Sequence, residues 1–165
     1  MARFQSTNVS EADVPAPPER IWEVLSSPET LARLTPLIER ISADGDRWIW
    51  QMRSIAALGV HVEPCFTEQM TFEDGRRIVF DHRPSAGRSE RAGATGTYTL
   101  TGLPQGGTHL HVDITIHVEL PLPAVSRRAV EKVMSSLMAR TGEAFAVNLY
   151  AELGIAGAPA PVQTR

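Results

Sequence analysis

The chain has 165 residues, of which 42% are hydrophobic and 21% charged, and its 16 Lys and Arg against 19 Asp and Glu leave a formal net charge of −3. This length suits one domain with a buried core of its own. The lack of a basic excess argues against a nucleic-acid-binding protein, and no apolar run approaches the roughly 18 residues that a membrane span requires.

The N-terminal part of the chain predicts a strand followed by two short helices. Phe4–Val14 has the mixed polarity of a strand, which a run of prolines ends. Pro18 suits the first position of a helix, where its missing N–H leaves no bond unmade. Ser27 is the expected N-cap of the second helix, and Pro36 ends that helix because the residue before a proline is displaced from helical geometry.

Between residues 38 and 120 the apolar residues recur with the period of two that is typical of strands. Asp44-Gly45, Asp74-Gly75 and Gly106-Gly107 are hairpin signals between these segments. Together with the first strand they predict about seven antiparallel strands joined largely as a meander. The expected strands are Phe4–Val14, Ile38–Ala43, Trp48–Leu58, His61–Phe72, Arg77–Arg83, Ala92–Leu103 and Thr108–Glu119.

A long helix and a tail complete the predicted domain. From Ala124 to about Leu153 the apolar residues follow the helical period, with a charged face opposite them. Residues 154–165 are rich in Gly, Ala and Pro without periodicity, so a disordered tail is expected there. Residues 1–153 are therefore expected to form a single domain.

A likeness to a known family lies in residues 12–41, which are ADVPAPPERIWEVLSSPETLARLTPLIERI. The proline-rich corner, the tryptophan-bearing first helix and the Ser-Pro-Glu start of the second resemble the opening of the SRPBCC (START/Bet v 1-like) superfamily. The order of elements over residues 4–153 is similar too. The resemblance implies an α+β helix-grip fold, in which a curved seven-stranded antiparallel sheet surrounds a long C-terminal helix, with two short helices after the first strand. It also implies an internal apolar cavity, as in the polyketide cyclase/dehydrase-like proteins that the chain resembles.

Glu68 and Tyr98 are the candidate catalytic residues. Glu68 lies in phase with Phe66 and Met70, and a carboxylate on an apolar face must be paired, hydrogen-bonded or protonated. Tyr98 lies in the apolar phase of its own strand, so its hydroxyl could orient a ligand carbonyl or act as a general acid. The structural alternatives are a bulge or a strand end at Glu68 and simple core packing of Tyr98.

Large apolar side chains on the same predicted face are the candidate ligand contacts. The aromatic rings could stack on a planar ligand, and the methionines of the long helix would supply a flexible wall. Ordinary core packing is the alternative for both groups. The candidates are Trp48, Trp50, Met52, Phe66, Met70, Phe80, Tyr98, Ile114, Met134, Met138 and Phe145.

His109, His111 and His117 fall in the polar phase of the last strand, opposite its aliphatic residues. Alternation therefore predicts that all three side chains lie on the convex, solvated face of the sheet. The spacing of His109 and His111 resembles a metal pair only superficially, and the sequence contains no phosphate-binding loop and no HExxH motif. No cofactor and no metal are expected.

Three functions fit a cavity domain of this kind, because one scaffold supports many. The first is binding of an apolar small molecule, such as a lipid or a polyketide-like compound. The second is a polyketide cyclase, aromatase or dehydratase in which Tyr98 and Glu68 transfer protons. The third is a partner-binding module of the co-chaperone kind. The lone cysteine, Cys65, and the lack of a recognisable secretory signal favour the cytoplasm, and a monomer or homodimer is expected.

Overall fold

A large sheet and a C-terminal helix dominate the computed structural model, which describes residues 1–157, 159, 163 and 164. The helices are α1 (Pro18–Leu25), α2 (Pro28–Leu34) and α3 (Arg127–Leu153), the last preceded by a 3₁₀ turn at Ala124–Ser126. The strands are β1 (Ala2–Val14), β2 (Ile38–Asp44), β3 (Arg47–Met52), β4 (Ile55–Ala57), β5 (Val60–Val62), β6 (Cys65–Glu73), β7 (Arg77–His82), β8 (Ala92–Gly102), β9 (Thr108–Leu120) and β10 (Gln163–Thr164).

The main sheet contains eight of the strands in the described residues, in the order β10-β1-β9-β8-β7-β6-β3-β2, with antiparallel neighbours. Its seven longer strands are the predicted antiparallel sheet, and with α3 they confirm the α+β helix-grip class. The two residues of β10 pair with β1 and belong to the segment for which a disordered tail is predicted. Residues 158, 160–162 and 165 of that segment lie outside the described residues.

The strands predicted over Trp48–Leu58 and His61–Phe72 are each interrupted, so this part of the prediction is wrong. β4 and β5 leave the main sheet and form a separate two-stranded hairpin. Pro64 has no N–H to offer a neighbouring strand, and its carbonyl accepts from the N–H of Met52 at 2.9 Å. The turn between β4 and β5 has positive φ, 53° and 75°, at both central residues, as a type I′ two-residue hairpin turn requires.

The long helix α3 spans 27 residues without interruption. It ends at Gly154, whose left-handed φ of 67° closes the helix, and the N–H of Ile155 then donates to the carbonyl of Tyr150 at 2.9 Å. Among the described residues, no helix combines the length and the apolar character that crossing a membrane requires.

The core has a large and a small part. The large part lies between α1, α2, the C-terminal half of α3 and the inner face of the sheet. Two hydrogen bonds fasten α3 there: Asn148 Nδ2 donates to the carbonyl of Leu34, and Arg20 Nη1 donates to that of Leu153, both at 2.9 Å. The small part lies toward the other end of α3 and is built on Phe4, Leu120 and Val130.

Replacing Ser27 by Ala removes the N-cap of α2. The Ser27 hydroxyl oxygen accepts from the N–H of Thr30 at 3.3 Å. We therefore expect Ser27→Ala to lose about 1 kcal/mol of unfolding free energy in urea denaturation. Ser126→Ala is the matched control, because Ser126 precedes α3 without a capping side-chain hydrogen bond. Equal losses in the two variants would contradict a capping role for Ser27.

Candidate functional site

An apolar pocket of about 130 Å³ lies beside the β4–β5 hairpin, the last residues of β9 and the N-terminal half of α3. Apart from His117, every lining residue has an aliphatic or aromatic side chain or is a methionine. The side chain of His117 lies on the other face of the sheet, because β9 pairs it with Gln5 and Gly93, out of phase with the lining residues Ile116 and Val118. The lining draws on both parts of the core, so the pocket is the gap left between them. Its walls include Val60 and Val62 of the hairpin, Val118 and Leu120 of β9, and Val133 and Leu137 of α3.

Four of the candidate ligand contacts line this pocket: Met52, Phe66, Met134 and Met138. Met134 and Met138 lie one turn apart on α3, as the helical period predicts. Phe66 also stacks on Trp50 of the large core, with ring centroids 6.4 Å apart and planes inclined by 10°. Phe66 therefore separates the pocket from the packed interior.

The other candidate contacts lie outside the pocket lining. The aromatic ones pack against one another. The ring centroids of Trp48 and Trp50 are 6.1 Å apart, and those of Phe80 and Tyr98 are 5.0 Å apart. Period-two alternation identified the inner face of the sheet, but it could not indicate which stretch of that face α1, α2 and α3 cover. The candidates away from the pocket are Trp48, Trp50, Met70, Phe80, Tyr98, Ile114 and Phe145.

The two candidate catalytic residues, Glu68 and Tyr98, are likewise placed in the core. Glu68 is 1% exposed, and its Oε2 has no hydrogen-bond partner among the described residues. Burial, and to a smaller extent Asp81, raises the pKa of Glu68 well above its usual value, which favours the neutral carboxyl. Burial, followed by Glu68, also raises the pKa of the Tyr98 hydroxyl. Neither side chain lines the pocket.

A second polar group, Glu90 with His82, lies beside the pocket. The Glu90 carboxylate accepts from the N–H of Thr67 at 2.8 Å and from its hydroxyl at 2.7 Å, while His82 Nε2 lies 2.9 Å from Glu90 Oε2. Burial alone would raise the pKa of Glu90, but the hydrogen bonds from Thr67 and His82 outweigh it and lower that pKa. Because an ionised carboxylate can only accept, Nε2 of His82 carries a proton.

His117 packs against this group. Its ring centroid lies 4.8 Å from that of His82, and the pairing of β9 with β8 places its side chain beside Gly93, on the face of the sheet away from the pocket. Burial, followed by Arg3 and His82, lowers the pKa of His117 to about 4, against an opposing effect of Glu119. The imidazole is therefore neutral at pH 7. Within the part of the chain that the structure describes, no three His, Cys, Asp or Glu side chains are arranged to hold a metal ion.

The sequence predicts His117 on the convex, solvated face of the sheet. The register places it on that face, out of phase with Ile116 and Val118, but the residue is only 7% exposed, so the expectation of a solvated side chain is wrong. After β7 the chain folds back, so that Glu90 reaches Thr67 and the carbonyl of Arg91 accepts from the N–H of Glu119 at 2.7 Å. Alternation within one strand carries no signal for contacts made by a distant segment. Sequence reasoning therefore missed the covered polar cluster of His82, Glu90 and His117.

Gly93 gives the two histidines their space. It lies opposite His117 in the pairing of β8 with β9. A methyl group at residue 93 would overlap the ring of His82 and lie 2.5 Å from Cε1 of His117. Only a glycine fits between the two rings in this arrangement.

The sequence matches, over residues 1–154, the family described as polyketide cyclase / dehydrase and lipid transport. No curated protein matches the chain. The Zhui aromatase/cyclase from Streptomyces sp. R1128 has a similar structure, with a TM-score of 0.67 and 15% identity over 92% of this chain and 94% of that one. A START superfamily protein from Mycobacterium smegmatis has a TM-score of 0.64 and 18% identity over 90% and 97% of the two chains. A conserved protein from Geobacillus kaustophilus has a TM-score of 0.65 and 16% identity over 90% of this chain and 95% of that one.

Replacing Glu68 by Gln should change how stability depends on pH. On unfolding, the Glu68 carboxyl returns to its ordinary pKa, about 4.3, whereas the folded protein keeps it protonated to higher pH. Wild-type stability should therefore fall, by up to about 1.4 kcal/mol per pH unit, as the pH rises above that ordinary value toward the folded-state pKa. Gln cannot ionise, so the unfolding free energy of Glu68→Gln lacks this fall. The difference between the variant and the wild type should therefore shift in favour of the variant as the pH rises from about 5 to 7.

Urea denaturation across this pH range measures the difference between the two proteins. Glu73→Gln is the matched control, because Glu73 is an exposed carboxylate at the end of the same strand. A Glu68→Gln curve parallel to that of the wild type at every pH would show that Glu68 is ionised in the folded protein.

Gly93→Ala should destabilise the protein, because the added methyl displaces the rings of His82 and His117. We expect a loss of about 1–3 kcal/mol of unfolding free energy. Gly102→Ala, on the same strand, is the control, since a methyl there would meet only Pro18 at 3.7 Å. A Gly93→Ala protein as stable as Gly102→Ala would contradict the close packing of the two histidines.

Proposed function

The chain belongs to the polyketide cyclase, dehydrase and lipid transport family of the SRPBCC superfamily, and we propose from this that its pocket binds a small apolar molecule. The observation that carries the proposal is the lining itself, which is apolar. Removing apolar surface from water on both ligand and lining favours binding by about 25 cal/mol per Å². The family supports a hydrophobic ligand-binding or cyclase function, and the pocket favours the first.

The size of the pocket limits the ligand. At about 130 Å³ it is close to the volume of an engineered apolar cavity, roughly 150 Å³, that stays dry and binds benzene. A single ring with a short alkyl chain is therefore a suitable first ligand. The thioethers of Met134 and Met138 allow the wall to adjust, because methionine has three rotatable bonds.

The enzymatic alternative receives less support. A cyclase or dehydratase that uses Tyr98 and Glu68 needs both groups against the substrate, and neither belongs to the pocket lining. The co-chaperone alternative would be favoured by a cavity filled by Trp50, Met134, Met138 and Phe145. Instead, the two methionines border an open space while Trp50 lies outside its lining.

Val133→Trp tests the proposed binding by filling the pocket. Val133 lines the pocket from α3, and the larger indole should occupy the ligand's space. Propylbenzene should bind the wild type and raise its unfolding temperature, because a ligand that binds only the folded state stabilises it. We expect the variant to bind propylbenzene at least about tenfold more weakly, which corresponds to about 1.4 kcal/mol.

Val147→Trp is the matched control, because Val147 is an exposed residue of the same helix outside the pocket lining. It should bind propylbenzene as the wild type does. Calorimetric titration gives the affinities, and native mass spectrometry of the purified protein detects any molecule already bound. Equal affinities of Val133→Trp and Val147→Trp, or no binding to the wild type, would overturn the proposed binding at this pocket.

A further inference from the structure

Two surface loops beside the pocket are apolar over consecutive residues. Residues 55–60 of the β4–β5 hairpin read IAALGV, and residues 120–125, between β9 and α3, read LPLPAV. Side chains of both runs reach solvent: Leu58 is 48% exposed and Val125 is 89% exposed. Exposed apolar runs of this kind are uncommon on a monomeric protein and mark a surface that contacts something else.

The two loops lie at the same end of the molecule. Leu58 and Leu122 line one pocket, and Val125 follows Leu122 in the 3₁₀ turn before α3. Met1, which is also exposed, adjoins Ala2, and Ala2 packs with Leu122 in the small part of the core. Of the five large apolar side chains that the described residues expose, three therefore lie at this end. Met1, residues 55–60 and residues 120–125 together form the apolar rim of the pocket.

The backbone of Leu58 shows that its side chain is retained at the hairpin tip against local preference. In the part of the chain that the structure describes, Leu58 is the one residue other than glycine with a positive φ, 53°. Asn, Asp or Gly is favoured at this turn position, because a left-handed backbone crowds the Cβ of a leucine. Contact with another surface gives such an exposed leucine a function that turn formation does not.

Positive charge adjoins the apolar rim at the start of α3. Arg127 and Arg128 are exposed in its first turn, which contains no acidic residue. Arg127 pairs with Glu131 at 3.3 Å, whereas Arg128 has no ion pair among the described residues. Cations at a helix N-terminus oppose the helix dipole, and an anion there is stabilised. A negatively charged surface therefore complements this end of the molecule.

An anionic lipid bilayer offers both properties that the rim requires. Its headgroups are negatively charged, and its acyl chains lie within reach of side chains that enter the interface. A second copy of this chain is less suitable, because in a symmetric dimer the same patch meets itself and Arg128 approaches its own counterpart.

We propose that the apolar rim docks this protein on an anionic lipid bilayer, with Leu58 and Val125 among the lipids and Arg128 against their headgroups. Both loops border the pocket, so docking places the pocket beside the bilayer. An apolar ligand can then move between bilayer and pocket with little exposure to water. This inference goes beyond ligand binding, since it assigns a partner to the surface around the pocket.

Vesicle flotation tests the docking. The wild type should bind vesicles of equal parts phosphatidylcholine and phosphatidylglycerol, and bind pure phosphatidylcholine more weakly. Val125→Ser should bind the anionic vesicles about tenfold more weakly, because an apolar side chain no longer enters the bilayer. Val147→Ser, the same change at an exposed position toward the other end of α3, is the matched control and should bind as the wild type does.

The charge is tested in the same assay. Arg128→Gln should bind the anionic vesicles about fivefold more weakly, because each basic residue near an anionic surface contributes to attachment. Arg140→Gln is the control, since Arg140 is an exposed arginine of the same helix beyond its first turns. It should lose less than about twofold, because charges more distant from the bilayer are screened.

Leu58→Asn separates docking from folding. Asparagine adopts the left-handed backbone more readily than leucine, so the unfolding free energy in urea should change little. Binding to the anionic vesicles should nevertheless fall about tenfold, since the apolar side chain is lost. A Leu58→Asn protein that binds these vesicles as tightly as the wild type would contradict insertion of Leu58.

The remaining outcomes are also decisive. If the wild type binds neither kind of vesicle, or Val125→Ser binds as tightly as Val147→Ser, docking by the rim is overturned. If neutral and anionic vesicles bind equally, the part assigned to Arg128 is overturned. If light scattering shows a dimer that Val125→Ser separates, the rim is an interface between two copies instead. The propylbenzene titration contains no lipid, so the proposed ligand binding stands or fails independently of these results.

Discussion

Covering the apolar inner face of the sheet is the constraint on which the rest of this structure depends. At one end α1 and α2 join α3 over that face, and there α3 buries Leu149, Tyr150 and Leu153. Along the N-terminal half of α3 only Val130 is fully buried, and the β4–β5 hairpin supplies the remaining cover. The pocket is the consequence of this unequal cover, because one helix and a short hairpin fill less space than three helices do.

A buried glutamate, Glu68, and a half-buried one, Glu90, show opposite electrostatic behaviour. Glu68 points into the packed core with an unpartnered carboxyl oxygen, so burial dominates and favours its neutral form. Glu90 meets two hydrogen bonds from Thr67 and one from His82, which together outweigh burial and favour its charged form. The charge thus anchors His82, and the neutral ring of His117 packs against it on the face of the sheet away from the pocket.

Some parts of the fold were predictable because their signals are local. The Ser27-Pro28 start of α2 combines a capping side chain with a residue pre-shaped for the first turn, and the structure contains both. The break in the long strands near Pro64 was harder to predict, because the apolar alternation continues through it. Whether a proline ends a strand depends on which neighbour would have received its missing N–H, and that is a property of the assembled sheet.

The sequence by itself determined the order of the elements, the inner face of the sheet, the apolar stripe of α3 and the apolar phase of Glu68, since each follows from spacing along one segment. The tertiary structure alone decided where the inner face stays open. Met52, Phe66, Met134 and Met138 border the pocket, while Trp48, Trp50 and Tyr98 pack in the core, although all are apolar or inward in phase. Likewise, His117 is buried on the outer face only because Glu90 and His82, distant along the chain, fold against it. Periodicity reports the direction of a side chain, whereas a site also requires the segments that lie opposite it, and those are specified only when the chain is packed.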